Sequence, residues 1–299
     1  VNPKIVVVLY SGSVVETPWL DNCKALLYAA LGGQAGAGAV ADALIGKVNP
    51  CGKLAETWPL TYADVPSAAD FATRRKTVEY REGLYIGYRY FTTAEKAVRS
   101  SFGYGLSYTT FEYSDMVANE RGVSIAVKNT GSVTGTEIVQ LYVSKKNGQI
   151  FRPAKELKGF ARVTLAPGEK QRIAIMLDDK AFRFWNVKAN RWEIEGGEYE
   201  LLVGASVEDI RLKETIIVHG TATVNPYEDM GLNCYYTADV MNVSDSDFEK
   251  LLGHPIPDGK TKIGRNLTLG ELNHARSPLG WLVWLVLTVL LDASYKRGK

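Results

Sequence analysis

Ile138-Val-Gln-Leu-Tyr-Val143 is a short apolar run with β-branched residues at its ends and no helical period. Similar alternating or apolar runs recur at Val123–Val127, Arg162–Leu165, Arg172–Leu177, Tyr199–Val203 and Glu214–Val218. Turn signals separate them: Asn129-Thr-Gly131, Ala166-Pro-Gly168 and Gly196-Gly197. Glycine and proline supply there the backbone angles that strands do not use. Strands at this spacing predict an antiparallel β-sandwich of about 100 residues over 112–219. No cysteine pair spans the region, which excludes an antibody-type disulfide core.

Upstream the character changes. Residues 61–111 hold a dense crowd of aromatics, from Tyr80, Tyr85, Tyr88 and Tyr90 to Tyr108 and Phe111, set around Gly83, Gly87, Gly103 and Gly105. This predicts an irregular connector packed between domains, since each ring buries a large area at little entropic cost. Contact with a ligand is the second reading of the same rings. Residues 1–60 read as α/β. Ile5-Val-Val-Val-Leu-Tyr10 is a continuous β-branched run, the pattern of a strand covered on both faces. Leu20–Ala30 has helical character, and Gly38–Ile45 predicts a helix that stops at Gly46, with Asn49-Pro50 beyond it.

Downstream of 219 short helices are expected. Ser246-Asp-Phe-Glu249 and Thr268-Leu-Gly-Glu271 both have capping-box spacing, and Ser277-Pro278 places proline at the first helical position. The apolar run Leu279–Leu291 follows, with Asp292, Lys296, Arg297 and Lys299 after it. As a helix it would span about 20 Å, short of the roughly 30 Å of a hydrocarbon core. A buried or interdomain helix is the first expectation and a membrane-associated segment the second.

The chain has 299 residues, 46% of them hydrophobic and 23% charged, with 35 basic and 33 acidic side chains. This is the composition of a globular protein with more than one domain. The near-neutral balance gives no electrostatic reason to expect nucleic acid as a partner. Cys23, Cys51 and Cys234 lack CxxC spacing and read as thiols, not as a disulfide framework. His219, His254 and His274 sit in separate segments, so no metal site and no cofactor are expected. The sequence begins Val-Asn-Pro and runs at once into a central-type strand, which reads as a piece of a longer polypeptide. Such a beginning says little of compartment beyond a leaning to the bacterial cytoplasm.

Two patterns carry possible chemistry. Gly36-Ala-Gly38-Ala-Val-Ala41 matches a dinucleotide fingerprint, which needs its glycines directly after a strand. The helical character of Leu20–Ala30 argues against it, and a tight loop with close helix packing explains the glycines equally well. Glycoside hydrolysis needs two carboxylates, about 5 Å apart in retaining enzymes. Glu79 and Glu82 are close in sequence, and Glu16 follows the first strand, but a surface or hydrogen-bonding role is the ordinary reading of each. The sequons Asn242-Val-Ser244 and Asn266-Leu-Thr268 are assigned no function.

Several stretches taken together resemble one family, the glycoside hydrolases of family 3. These are Ile5–Trp19, then Gly33-Gln34 through Gly46 and Asn49-Pro50-Cys51-Gly52-Lys53-Leu54, then Thr57-Trp58-Pro59. Tyr80-Arg-Glu82-Gly83 through Phe91, and Phe102-Gly-Tyr-Gly-Leu-Ser-Tyr-Thr-Thr-Phe111, match that family's connector. The sandwich continues the match in Gly135–Val143, Glu156-Leu-Lys-Gly-Phe160, Leu165–Glu169 and Gly197–Gly204. Gly32 and Cys51 depart from the pattern, standing where Pro and Ser are usual.

The resemblance covers about residues 3–219 and implies the C-terminal part of an α/β sandwich over 1–76, a connector over 77–111 and a fibronectin type III-like β-sandwich over 112–219. Residues 220–299, where short helices are expected, match no part of the general family pattern and are similar to a C-terminal extension of some members. The resemblance implies an exo-acting, retaining, β-glucosidase-like enzyme whose partner is a β-glycoside. The family's nucleophile Asp lies in a TIM-barrel domain, and its acid/base Glu lies upstream of the strand matching Ile5–Tyr10. Neither has a counterpart here, so no catalytic or substrate-binding residue is carried over. The chain would brace and wall the site and be inactive alone, with a non-catalytic carbohydrate-binding or scaffolding module as the alternative.

Overall fold

The computed structural model describes residues 2, 4–69, 71, 78–260 and 262–297. Lys299 and the expected boundary at residue 76 lie outside the described residues. The chain divides into two compact units, Val1–Ala68 with Glu82–Val243, and Ala69–Arg81 with Ser244–Lys299.

In the first unit, β1 (Val6–Leu9) pairs in parallel with β2 (Ala25–Tyr28). The expected helix over Leu20–Ala30 is therefore corrected: a 3-10 turn occupies Leu20–Asn22 and the rest is strand. A short apolar run fits either element, and pairing with β1 decides it here. The expected covering of β1 on both faces is also corrected. Val6 is half exposed, and β2 is the one strand paired with β1 among the described residues. Helix α1 (Gly36–Leu44) follows as expected, and the chain leaves it through Gly46 at φ 76°.

Strand β3 (Trp58–Pro59) is the last strand described in the α/β segment. The connector holds α2 (Tyr88–Thr93) and β4 (Val98–Ser100), the latter antiparallel to β3. Beyond it come β5 (Phe111–Asn119), β6 (Gly122–Asn129), β7 (Gly135–Lys145), β8 (Glu156–Leu165) and β9 (Lys170–Met176). The series ends with β10 (Arg183–Asn186), β11 (Arg191–Ile194), β12 (Gly197–Gly204) and β13 (Ile210–Val218). They form sheets in the orders β5-β6-β9 and β13-β12-β7-β8, all antiparallel, with β10–β11 as a separate hairpin. Ile125, Val127, Leu141, Leu165 and Leu201 are fully buried in the shared core. Each run read as a strand over 112–219 falls on one of these elements, Arg172–Leu177 passing the end of β9 by one residue, while β5 and the hairpin have no counterpart among those runs.

Strand β7 is buried on both faces. Leu141 points into the sandwich core, and its neighbour Tyr142 points the other way, since side chains alternate along a strand. There Tyr142 meets Leu202 and Val207, with Tyr88 and Phe102 of the connector packed over them. The aromatic crowd thus covers the outer face of the four-stranded sheet. Short helix α3 (Asn233–Tyr236) completes this unit, with Tyr235 stacked on Phe151 at 5.4 Å.

The second unit contains α4 (Asp245–Leu252) and α5 (Pro278–Arg297). The cap of α4 is Ser244, which accepts from the Asp247 N–H, and not Ser246 as its spacing with Glu249 had predicted. Both hydroxyls precede acidic residues at the same interval, so register alone separates them, and helix formation through Asp245 favours the earlier one. The Thr268–Glu271 box forms as expected. Helix α5 is longer than the apolar run. Its 20 residues rise about 30 Å, and a window of mean hydropathy 1.5 makes it long and apolar enough to cross a membrane. The expectation that it is buried is corrected, since Gly280 alone is buried and Leu279, Leu282, Val289 and Leu291 are exposed. Near its start Gly280 fits against Ala275 and Ile263, which leaves most of the helix uncovered in its unit.

Candidate functional site

In an open α/β sheet, ligands gather in the crevice beyond the carboxyl ends of parallel strands. The chain leaves β1 into the Ser11–Trp19 loop, and a cavity of about 570 Å³ opens there within the first unit. Glu16 from that loop, Thr57 beside β3, and Glu82, Tyr85 and Tyr88 from the connector line it.

The loop is held from below. The Glu16 carboxylate accepts the Tyr62 N–H at 2.6 Å, and Tyr62 opens a 3-10 turn capped by the Thr61–Asp64 box. On the connector side, Gly83 and Gly87 take left-handed φ of 57° and 55°, which turns the chain sharply around Tyr85. The fully buried Tyr85 donates its hydroxyl to the Tyr235 carbonyl, and burial pushes its phenol well above the ordinary tyrosine range. The Tyr88 hydroxyl accepts the Leu157 N–H at 2.8 Å, and its ring stacks on Phe102 at 4.6 Å. Tyr108 donates to the Ala43 carbonyl at 2.9 Å. These connector hydroxyls are spent on backbone groups, so packing accounts for the aromatics that carry them.

Three polar anchors tie the wall to the sandwich. Asn49 donates to the Thr134 carbonyl at 3.1 Å and accepts from the Ser107 hydroxyl and the Tyr108 N–H. Lys53 pairs with the buried Glu137 at 3.2 Å and donates to the Gly105 carbonyl. Buried Gln140 donates to the carbonyls of Gly103 and Ala205 and accepts from Tyr142. Gly103 has φ 80° and lies so close that a Cβ there would strike the Gln140 amide. Glycine at that position permits the contact.

The carboxylates singled out in the sequence separate. Glu79 belongs to the second unit, where it pairs with Arg81 at 2.6 Å, and Arg81 also pairs with Asp245 at 2.6 Å. Glu16 and Glu82 are brought to the same cavity. Glu82 is only 9% exposed, and no donor or cation pairs with its side chain among the described residues. Glu16 and Glu79 are hydrogen-bonding carboxylates as expected, and Glu82 opens onto the cavity. Thr57, buried with an unpartnered hydroxyl, was not picked out by sequence reasoning, and no spacing rule marks it. Within Gly36–Ala41 packing requires neither glycine, since a Cβ on Gly38 would meet nothing within 4 Å and one on Gly36 would sit at ordinary contact distance from Tyr10. Gly32 and Gly36 lie under the Tyr10 ring, and a Cβ on Gly32 would stand 3.0 Å from it. A strand does precede α1, contrary to the helical reading, but the Ala29–Ala35 stretch intervenes and the helix has no side-chain cap. Among the described residues no cluster of metal-ligating side chains occurs, and no disulfide joins the cysteines.

Residues 1–88 match the model of the glycosyl hydrolase family 3 C-terminal domain, and residues 137–207 match that of the fibronectin type III-like domain. Thermostable beta-glucosidase B of Acetivibrio thermocellus is 47% identical over 232 residues, covering 75% of this chain and 31% of that protein. The chain belongs to glycoside hydrolase family 3. It corresponds to the C-terminal part of the family's β-glucosidase-like members and spans about a third of the length of the relatives it matches. An exo-alpha-(1->6)-L-arabinopyranosidase of Bifidobacterium longum is 41% identical over 244 residues, 80% of this chain and 32% of its own.

Solved family 3 structures superpose on the chain. The β-glucosidase of Bifidobacterium adolescentis has TM-score 0.72 and 35% identity, covering 94% of this chain and 37% of its own. The glucose complex of the Kluyveromyces marxianus β-glucosidase has TM-score 0.69 and 43% identity, covering 72% and 26%. Coverage of 94% requires that most of residues 220–299 be matched in the Bifidobacterium enzyme, so the extension is shared with it.

Proposed function

We infer that the chain serves as the C-terminal part of a retaining, exo-acting glycoside hydrolase of β-glucosidase type, in which it braces the site and is inactive alone. The observation that carries this reading is the match of 75% of the chain to only 31% of a β-glucosidase. The carboxylates fit it as well. Retaining hydrolysis needs two carboxyl groups about 5 Å apart, whereas Glu79 is engaged by Arg81 and Glu16 holds the Tyr62 N–H. In this reading both catalytic carboxylates come from the remaining portion of the protein, which also covers the exposed face of β1. The sugar is set there too, since a β-glucosidase and an arabinopyranosidase share the region matched here.

The test is a chimera. The 299-residue chain replaces its matched region in the Acetivibrio enzyme, and aryl β-glucoside hydrolysis is measured for the chimera and for the chain alone. The reading predicts turnover by the chimera and none by the chain. Turnover by the chain alone would contradict it.

A further inference from the structure

We propose that Asn147 and Gly148, in the loop between β7 and β8, form a site of spontaneous deamidation, and that conversion to isoaspartate there unpins residues 225–236 from the sandwich. All the groups involved lie in the first unit, so the site is independent of the glycosidase reading. The reaction is intramolecular and takes only water as co-reactant. The Gly148 nitrogen gives its proton to solvent hydroxide and attacks the side-chain carbonyl carbon of Asn147. A C–N bond forms, the Cγ–Nδ2 bond breaks, and the amide nitrogen leaves as ammonia after taking a proton from water. Water then opens one of the two carbonyls of the resulting five-membered succinimide. One opening gives aspartate. The other gives isoaspartate, whose main chain runs through the former side chain and is one methylene longer. Nothing is oxidised or reduced.

Sequence and structure point to this position on separate grounds. The attacking nitrogen must be unshielded, and glycine alone has no Cβ beside it. Asn147 is the one asparagine in the sequence that a glycine follows. Residues Lys146 to Gln149 are all exposed, so water and hydroxide reach the reacting atoms. Among the described residues neither the Asn147 side chain nor the Gly148 N–H is held in a hydrogen bond. The anchors lie on either side of the pair instead. The Lys146 N–H donates to the Glu198 carbonyl at 3.0 Å, and the Gln149 N–H donates to the Glu195 carboxylate at 2.5 Å. Asn147 has φ 49°, a left-handed angle that asparagine tolerates. Attack requires rotation about its Cα–C bond, and the unheld link between the two anchors leaves that rotation open.

The same anchors determine what conversion does. The Gln149 carbonyl accepts the Asn225 side-chain amide at 3.1 Å and the Tyr236 hydroxyl at 3.0 Å. Two residues further on, the Phe151 ring packs against Tyr227, Tyr235 and Tyr236. An extra methylene between Lys146 and Gln149 must displace one of the two ends. Lys146 directly follows β7, which lies between β12 and β8, whereas Gln149 stands in irregular chain. The Gln149 end therefore gives way, and it carries the contacts that hold Asn225 and Tyr236.

The experiment incubates the 299-residue chain at mildly alkaline pH beside Gly148→Ala, Asn147→Gln and a free peptide of residues 144–152, and follows the products by peptide mass. Conversion adds about one dalton, which separates it from isomerisation at Asp258-Gly259, where the mass does not change. The proposal predicts that Asn147 converts before any other asparagine, at a rate within about tenfold of the free peptide. Gly148→Ala should slow conversion at least about tenfold by shielding the nitrogen. Gly148 has no left-handed φ, and the added Cβ meets only the flexible Lys145 side chain at 3.2 Å and the Glu195 carboxylate at 3.4 Å, so the loop keeps its course. Asn147→Gln should slow it as well, because a six-membered ring must then close. In the purified isoaspartyl form, amides of residues 227–236 should exchange at least about tenfold faster than in the unconverted chain. Conversion of the free peptide without conversion of the folded chain would overturn the site, and would show that φ 49° holds the nitrogen away from the carbonyl. Unchanged exchange in the isoaspartyl form would overturn the unpinning.

Discussion

Leu201 in β12 and Val6 in β1 stand in short apolar strands of similar make-up, yet Leu201 is fully buried and Val6 is half exposed. The difference lies in what each strand is given to pair with. β12 lies between β13 and β7, and a second sheet faces it across the core. β1 has β2 alone among the described residues, in a parallel pair. Parallel sheets are stable when covered on both faces, and a two-stranded sheet is marginal in water. Closure therefore depends on neighbours and not on strand composition. The sandwich supplies its own, and the described residues give β1 no such neighbours beyond β2.

The comparison can be broken first at the join. Lys53 reaches from the α/β segment to Glu137 on β7, with side chains 14% and 6% exposed. Lys53→Ala leaves the buried Glu137 carboxylate without its cation, held by the Ile138 N–H alone, and should cost about 3 kcal/mol in urea unfolding. The double change Lys53→Met with Glu137→Leu should recover most of that loss, because it removes both charges. Next come the strands themselves. Leu201→Ala opens a cavity in the closed core and should cost about 2–5 kcal/mol. Val8→Ala in β1, only half-buried, should cost about 1 kcal/mol or less by its smaller buried area.

The smallest effect concerns acid. A side-chain hydrogen bond from Arg211 holds the Asp209 carboxyl below its ordinary 3.8, and Arg211 in turn lies 4.6 Å over the Tyr113 ring. Because the folded-state value is depressed, the contribution is present above about pH 4 and is lost as pH falls through the folded value. Asp209→Asn should flatten the acid limb of the stability profile between pH 4 and pH 2 without altering stability changes near neutrality.

Where the sequence could be read, local pattern and tertiary environment agreed. Ile138–Val143 and Tyr199–Val203 read as strands because the sandwich that buries them is built from the same chain. Leu20–Ala30 was misread because four apolar residues have no period long enough to separate helix from strand, and the pairing with β1 that decides it is non-local. Strand β5 and the β10–β11 hairpin escaped notice since polar and charged residues interrupt them, as in Phe111-Glu-Tyr-Ser-Asp115. In the cavity, Glu82 was visible as a carboxylate near Glu79, but its burial comes from the turns at Gly83 and Gly87, and spacing carries no record of a missing partner. Helix α5 was legible as an apolar run, whereas its exposure follows from how little of its own unit lies against it.

Hydrogen exchange on the 299-residue chain tests the contrast between the two regions most directly. The account predicts that the amides of Ile125, Leu141 and Leu201 exchange only on global unfolding, while those of Val7–Leu9 and Leu26–Tyr28 exchange through local opening at least about a thousandfold faster. Equal protection of β1 and the sandwich core in the chain alone would contradict it, and would show that the α/β segment is complete as it stands.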